Sequence, residues 1–241
     1  LYKNAHTKQA SLIKEILEKV RSSIYYSVSD SYLKFINPKK KTKTTKNFST
    51  WSDLKTIPFH WSFDFSHILT DGGFDIVIAN PPYVDSEQMT KKQKKYREML
   101  VKTFDSTKGN WDLYIPFFER SMQLCKSDGI LCLISPNKWL YIGYGHELRS
   151  ILSNNLIKLT NCDDVDVFGT EAENSPVISS FKKQLALQEI KIDRFVSDYT
   201  INENPPIPRK ILELDNWGML ISPYVDTLLQ LLKEENRLSD Y

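Results

Sequence analysis

The sequence predicts an α/β protein with a mostly parallel sheet, helices on both faces and a C-terminal antiparallel strand. Short apolar runs alternate with amphipathic segments along the chain, which is the pattern of strands separated by helices. Two of these runs, FDIVIA and ILCLIS, lack polar alternation and are followed within two residues by a proline, so each predicts a strand that is buried on both faces. The last two predicted strands have no helix between them, so we expect one of them to run antiparallel.

The first predicted elements precede the sheet. From Thr7 to Tyr26, apolar residues recur at helical spacing against a charged face, which predicts an amphipathic helix. Asn37–Ser49 is rich in Lys and Thr without any periodicity and predicts an exposed loop. The aromatic-rich run IPFHWSFDFSHIL that follows predicts an extended segment packed on the core.

The sheet is predicted from four apolar runs. The first strand is Phe74–Ala79, which lies between a Gly-Gly pair and a Pro-Pro pair, and the second is Ile130–Ser135, which is closed by Pro136. Leu156–Cys162 and Pro176–Lys182 are the third and fourth strands. Parallel neighbours in such a sheet place their carboxyl ends at the same edge.

The predicted helices lie between these strands and after them. Asp112–Lys126 carries an apolar stripe, and its Pro116 is tolerable only in the first helical turn. Gly145–Asn154 predicts a second helix. After the fourth strand the periodicity weakens. The proline-rich Asn202–Lys210 predicts a linker or a surface excursion, and Val225–Arg237 predicts a last helix.

The composition is that of an ordinary globular chain. It has 241 residues, 41% of them hydrophobic and 26% charged, and no apolar run reaches the roughly 20 residues that span a bilayer. The three cysteines are widely spaced and no histidines stand at metal-ligand spacing, so we expect no disulfide and no metal site. With a polar first segment in place of a signal peptide, the sequence predicts a cytoplasmic protein without a membrane partner.

The net charge is +2, so charge alone predicts no polyanionic partner, but two basic runs stand out. Such runs are usually solvated loops or helix faces, and phosphate contact is the alternative interpretation. That alternative is stronger for the second run, because it lies beside the motif described next. The runs are Lys39, Lys40, Lys41, Lys43 and Lys46, and then Lys91, Lys92, Lys94, Lys95 and Arg97.

Two proline-marked polar segments follow the first two strands. Asn80–Tyr83, with the sequence NPPY, directly follows the first strand, and Ser135–Trp139, SPNKW, ends the second. Because ligands in open α/β sheets bind at the carboxyl ends of the strands, the two segments predict one shared site.

The NPPY segment is suited to holding a planar amino group. Pro81 and Pro82 have a fixed φ and no N–H, and both restrict the residue before them, so the loop is rigid and extended. It offers the Asn80 side-chain oxygen and main-chain carbonyls as acceptors, with the flat face of Tyr83 alongside. The alternative interpretation is that Asn-Pro-Pro only terminates a strand; the buried strand before it and the tyrosine after it favour a site.

Such acceptors have a chemical use. The lone pair of an exocyclic amine is delocalised into its ring, which makes the amine a poor nucleophile. Two acceptors that hold its hydrogens in tetrahedral directions would localise that pair for attack on an electrophilic carbon, by orientation and electrostatic preorganisation. No general acid or base is needed, which is consistent with the absence of a Ser/His/Asp or Cys/His constellation in the sequence.

The motif resembles that of the S-adenosylmethionine-dependent DNA adenine-N6 methyltransferases of bacterial restriction–modification systems, including the type IIG enzymes. FDIVIANPPYV carries the resemblance, and KGNWDLYIPFFERSMQLCKSDGILCLISPNKWL, FHWSFDFSHIL and VFGTEAENSPVISSF strengthen it. It extends over Pro58–Phe181 and more weakly to Tyr241. It implies a partial Rossmann-like methyltransferase fold and a site-specific DNA methyltransferase.

The resemblance assigns roles to individual residues. Asn80 and Pro81 would accept the two N6–H bonds of adenine, Pro82 would complete the rigid loop, and Tyr83 would stack on the base. Phe168 stands where the family has a second base-contacting aromatic. The partner would be double-stranded DNA with the adenine flipped out of the helix, since the base cannot otherwise reach the pocket.

Two further residues lie beside the motif. Asn137 is a candidate for substrate binding and Asp112 for cofactor binding, because they stand at a strand end and at a helix start. A turn asparagine and a helix-capping aspartate are equally good interpretations.

The cofactor implied is S-adenosylmethionine. The Gly-rich turn that binds it in the family is missing from Leu1–Gly73.

The chain also begins without Met, so we expect a fragment of a longer protein. Residues 1–57 are expected to form an N-terminal insertion with a helix and a Lys-rich loop, and 58–190 the catalytic half of the methyltransferase domain. Residues 191–241 are expected to form a linker and the start of a C-terminal region. The rest of that polypeptide would supply the cofactor-binding half and the target-recognition domain. Alone, the fragment is expected to be inactive and to bind the cofactor weakly.

Two alternatives stay open. A protein glutamine-N5 methyltransferase also presents a planar NH2 group to NPPY, although the Lys-rich insertion and KGNWDLY fit it poorly. A non-catalytic nucleic-acid-binding module of the same fold is the second alternative. The missing cofactor turn favours that module, and the intact NPPY argues against it.

Overall fold

The computed structural model describes residues 9–17, 19–20, 23, 61–165, 167, 175–184, 187–196, 200–222 and 224–225. The chain divides into two compact units, Leu1–Leu69 and Thr70–Tyr241. In the first unit, the described residues of the predicted N-terminal helix are helical. The extended segment predicted next is wrong in its described part, which forms helices α1 (Trp61–Asp64) and α2 (Ser66–Thr70). The Lys-rich loop lies outside the described residues.

The second unit holds the predicted sheet and more. Its helices are α3 (Ser86–Lys92), α4 (Lys94–Thr103), α5 (Tyr114–Leu124) and α6 (His146–Leu152). Its strands are β1 (Phe74–Ala79), β2 (Cys125–Pro136), β3 (Leu156–Asn161), β4 (Pro176–Lys182), β5 (Glu189–Val196), β6 (Thr200–Asn202) and β7 (Ile207–Pro208). Short 3-10 helices cover Asn137–Leu140, Gly143–Gly145, Arg209–Glu213 and Trp217–Ile221.

The sheet has the order β1-β2-β4-β3-β5-β6, and β7 pairs with β5. β1 pairs in parallel with β2, and β3 with β5, while β4 lies antiparallel between β2 and β3. β6 and β7 are antiparallel to β5. Four of the seven described strands therefore share one direction, which confirms the α/β class and the antiparallel run at β4.

The core lies under the middle of the sheet. Leu131 and Leu133 of β2 have no exposed surface, and Phe118 of α5 belongs to the same buried cluster. Trp139 and Trp217 meet edge to face with ring centroids 5.9 Å apart. Since Trp217 is fully part of this core, the chain after β4 belongs to the sheet unit.

That finding corrects the linker predicted at Asn202–Lys210, while the alternative of a surface excursion agrees with the exposed Asn202, Glu203 and Pro206. Its first residue ends β6 and its last residues form β7 and the start of a 3-10 helix. Proline density indicated a linker, but Ile207 instead pairs with Ile190 of β5 in the interior of the unit. Most of the helix predicted at Val225–Arg237 lies outside the described residues.

β1 differs from the prediction of a strand buried on both faces. It stands at the end of the sheet order, and among the described strands it pairs with β2 alone. Ile76 is 60% exposed and Ile78 is 77% exposed, while Val77 and Ala79 pack against the core. An apolar run in sequence thus becomes a strand with one open face.

The Gly72-Gly73 pair sets the entry into β1. Both residues have a positive φ, +96° and +120°, which favours glycine. A Cβ on Gly73 would also lie 2.4 Å from the Leu124 carbonyl oxygen, so no larger residue fits the turn. Gly72 is therefore favoured by its backbone conformation, and Gly73 by its backbone conformation and by close packing at the α5–β2 junction.

α3 and α4 were missed by the sequence analysis, although a signal for α3 exists. Asp85 begins it, and its side chain accepts a hydrogen bond from the Gln88 N–H at 2.7 Å. An Asp followed three residues later by Gln is a helix-start signature. Within the described ranges, no helix is long and apolar enough to cross a membrane and no His, Cys, Asp or Glu cluster could hold a metal ion.

Candidate active site

The predicted shared site lies where β1 and β2 end. The strands are parallel, with Ala79 opposite Leu133, so the loops that follow them leave the same edge of the sheet. Asn80 comes directly after β1, and Asn137 directly after β2. The expectation that NPPY and SPNKW lie at one edge is therefore confirmed.

The NPPY loop has no regular secondary structure and alternates between exposed and buried residues. Asn80 and Pro82 are exposed, while Pro81 is buried. Among the residues that the structure describes, none forms a hydrogen bond with the Asn80 side-chain amide. The amide thus stands at the sheet edge with its hydrogen-bonding capacity available to a ligand.

Tyr83 is fixed from two sides. Its hydroxyl donates a hydrogen bond to the Ile134 carbonyl oxygen of β2 at 3.3 Å. Its ring meets the Tyr114 ring edge to face, with centroids 6.4 Å apart and planes at 82°. Partial burial raises the pKa of the Tyr83 phenol to about 12, so the group remains a neutral donor well above neutral pH. The ring orientation is therefore set by the protein before any ligand arrives.

Asp112 organises the far end of the loop. Its Oδ1 accepts the Ser86 N–H at 3.1 Å, and its Oδ2 accepts the Tyr144 hydroxyl at 3.2 Å. Burial raises the pKa of the Asp112 carboxyl, and these two hydrogen bonds act in the opposite direction. The Leu113 N–H also donates to the Val84 carbonyl at 2.8 Å. The segment after Tyr83 is thus tied at both of its ends to residues 112–113.

The donor and acceptor in each hydrogen bond around Tyr144 follow from the number of available protons. The Tyr144 and Tyr114 hydroxyl oxygens lie 2.9 Å apart. Each phenol has a single proton, and Tyr144 gives its proton to Asp112, so Tyr114 is the donor to Tyr144. Burial raises the pKa of both phenols, which keeps both protons in place. The chain Tyr114 to Tyr144 to Asp112 is the part of the site that sequence reasoning missed. Asp112 and Tyr144 are 32 positions apart, so no local spacing could reveal it.

The loop after β2 is buried. Asn137 is 8% exposed, and its N–H donates to the Ser175 carbonyl at 2.9 Å. Arg149, which is 3% exposed, donates to the Trp139 and Ile142 carbonyls at 2.6 and 3.1 Å. Arg149 therefore satisfies carbonyl groups of the turn that Asn137 begins. A contact between Asn137 and a substrate stays a prediction.

The remaining predicted site residues divide into two cases. Phe168 lies outside the described residues. Asp112 stays a prediction as a cofactor ligand, and its two engaged oxygens favour a role in positioning the loop.

Comparison with known proteins gives a family and relatives. The family that matches is the Eco57I restriction-modification methylase, over residues 7–168. A protein of Methanocaldococcus jannaschii, provisionally named a type II restriction enzyme and methyltransferase, is 30% identical over 76% of this chain and 16% of its own length. The type II restriction enzyme and methyltransferase RM.Eco57I of Escherichia coli is 34% identical over 42% of this chain and 10% of its own.

Other matches are similarly partial. The type II methyltransferase M.PaeR7I of Pseudomonas aeruginosa is 34% identical over 48% of this chain and 19% of its own length. Among solved structures, the type IIG restriction endonuclease BpuSI superposes with a TM-score of 0.45 and 17% identity, over 63% of this chain and 21% of its own. The chain thus spans less than a fifth of the length of the three relatives matched by sequence.

Proposed function

The chain belongs to the Eco57I restriction-modification methylase family, and from that premise we propose that the protein carrying it methylates the N6 amine of adenine in DNA. The reaction would be part of a restriction–modification system. The observation that carries the proposal is the Asn80 amide, exposed at the shared end of two parallel strands in a loop whose Tyr83 is hydrogen-bonded to β2.

Asn80 and Pro81 present the amine. The Asn80 side-chain oxygen and a main-chain carbonyl of the Asn80-Pro81 pair accept its two N–H bonds, and the fixed φ of the prolines keeps the acceptors in place. With its hydrogens held out of the ring plane, the nitrogen directs its lone pair away from the acceptors. S-adenosylmethionine supplies the methyl group when it is bound.

Tyr83 orients the base. Its hydroxyl bond to Ile134 and its edge contact with Tyr114 fix the ring before binding, so a stacked adenine meets a preorganised face. Pro82 is exposed beside this ring and stiffens the loop between the acceptors and the stacking face. Asp112 and Tyr144 act indirectly, by holding the segment that follows Tyr83 in place.

The described residues fit the amine-presenting half of such a site and not the cofactor half. The glycines between residue 61 and Asn80 are Gly72 and Gly73, whose positions are explained by their positive φ and, for Gly73, by packing at the start of β1. We therefore assign the cofactor turn to another part of the whole protein, together with the domain that reads the DNA sequence. The whole protein would act in the cytoplasm on double-stranded DNA, from which the target adenine is flipped.

The test is product analysis with the whole protein that carries this chain. It is incubated with S-adenosylmethionine and either unmethylated duplex DNA or a translation release factor, and the products are digested for mass spectrometry. N6-methyldeoxyadenosine that disappears in the Asn80→Ala variant is expected. Methylglutamine in the release factor would establish the alternative substrate. DNA binding with neither product would contradict the enzymatic proposal.

A further inference from the structure

We propose that the α3–α4 hairpin is the surface against which the phosphate backbone of duplex DNA lies while the base occupies the NPPY pocket. This inference rests on the proposed DNA methylation. Two sets of observations carry it: the charge at the junction of the two helices, and the way the hairpin is fixed to the site.

The helix junction concentrates positive charge. Four exposed lysines flank Gln93, where α3 ends and α4 begins. Lys94 and Lys95 lie in the first turn of α4, at the positive end of the helix dipole, and this turn has no acidic residue. Like charges this close repel one another, and a polyanion would relieve that repulsion. The lysines are Lys91, Lys92, Lys94 and Lys95.

The ion pair between Lys91 and Glu87 offsets little of the positive charge. Lys91 pairs with Glu87 one turn earlier on α3, but both side chains are at least 70% exposed. An exposed pair of this kind contributes at most about 1 kcal/mol and is screened by salt. A phosphate could therefore replace Glu87 as the partner at small cost.

The hairpin is fixed to the loop that presents the amine. At its start, Ser86 is bound by Asp112, and Asp85 caps α3. Further on, the Arg97 guanidinium lies 4.1 Å above the Trp111 ring and donates to the Trp111 carbonyl at 3.0 Å and the Gly109 carbonyl at 2.8 Å. The backbone that carries the lysines is consequently tied to residues 109–113, which also bind the segment that follows Tyr83.

Arg97 thus has a different task from the lysines beside it in sequence. The Arg97 guanidinium donates hydrogen bonds to two carbonyl groups and packs on one aromatic face. Arg97 therefore anchors the hairpin and is not a phosphate ligand. The lysines carry separate point charges on flexible stems, which suits a row of phosphates better than one planar carboxylate or a single nucleotide. A duplex backbone is therefore the occupant to which we commit.

The test measures how salt affects binding of the whole protein to a nonspecific DNA duplex. Three proteins are compared: the unmodified protein, Lys94→Gln/Lys95→Gln, and the matched control Lys191→Gln/Lys210→Gln, which removes two exposed lysines from β5 and a 3-10 helix. The hairpin variant should lower the slope of log Kd against log salt by roughly 0.9 for each phosphate that its lysines no longer neutralise. The control should leave the slope unchanged.

A variant with all four lysines changed to Gln extends the test. It should lower the slope further than the double variant does, because more lysines that neutralise phosphates are removed. Equal slopes in hairpin and control variants, with thermal unfolding unchanged, would overturn the inference. If the protein methylates DNA but the hairpin variants leave the salt slope unaltered, only the proposed surface is rejected. If the hairpin variants lower the slope but the protein methylates no DNA, only the proposed function is rejected.

Discussion

β1 and β2 are parallel neighbours with paired residues, yet they differ in how the protein surrounds them. Leu131 and Leu133 of β2 have no exposed surface, whereas Ile76 and Ile78 of β1 are more than half exposed. Both strands end in proline-marked loops at the same edge. The loop after β2 is buried and braced by Arg149, while the loop after β1 keeps Asn80 open to solvent.

Under the proposed function, this difference assigns stability to β2 and the reaction to the loop after β1. β2 is flanked on both sides, by β1 and β4, and supplies the core. The loop after β1 gains its rigidity from the two prolines and from contacts beyond its own strand, through Tyr83 to β2 and through Ser86 to Asp112. Changes in β2 should therefore act on folding, and changes in the loop after β1 should act on the reaction.

The largest expected stability effect compares one residue in each strand. Leu133→Ala should lower the free energy of unfolding by about 2–5 kcal/mol, because it leaves a cavity in the core. Ile78→Ala, which truncates a side chain that is 77% exposed, should change it by no more than about 0.5 kcal/mol. Urea unfolding of the chain measures both. Similar losses for the two variants would show that β1 is covered in solution and would break the comparison.

A smaller effect is expected at the Asp112 network. Tyr144→Phe removes the donor to Asp112 and the acceptor of Tyr114, and leaving such groups unpaired costs about 1–3 kcal/mol. The matched control is Tyr141→Phe in the same turn region, where the side chain is 44% exposed and the change should be nearly neutral. If positioning is the role of Tyr144, the variant also slows methylation at saturating substrates. A loss of stability with an unchanged methylation rate would make the network purely structural.

The smallest expected effect is the pH response of Tyr83. Its pKa is raised to about 12 by burial, above an ordinary value of 10, so folding favours the neutral phenol. The stabilisation is complete below pH 10 and is lost as pH rises through 12. The difference in unfolding free energy between the unmodified chain and Tyr83→Phe should be constant below pH 10 and shrink above it. Phenolate absorbance that assigns Tyr83 an ordinary, unshifted pKa would contradict its buried, bonded position.

The sequence was most informative where structure is local. β4 and the first-turn position of Pro116 follow from an apolar run and from proline geometry, and both appear as predicted. The burial of β1 was mispredicted because exposure depends on sheet order, which an apolar run does not encode. Trp217 was unassigned because its core partner Trp139 is 78 positions away in the chain.

The site divides in the same way. Asn80, Pro81, Pro82 and Tyr83 could be singled out because four adjacent residues carry the pattern. The bonds from Tyr144 to Asp112 and from Arg97 to Gly109 join segments that only the fold brings together. The start of α3 was within reach, since Asp85 and Gln88 form a recognisable helix-start pair.

The most direct test of the different roles of β1 and β2 is the methylation rate of the Asn80→Ala variant. In the whole protein that carries this chain, the single-turnover methylation rate is measured together with the Kd for DNA and the thermal unfolding midpoint. We predict a rate lower by about 10²–10³-fold, the usual loss for a removed preorganised hydrogen bond, with the Kd and the midpoint unchanged. A methylation rate that stays within a few fold of the unmodified protein would contradict the assignment of the chemistry to the end of β1.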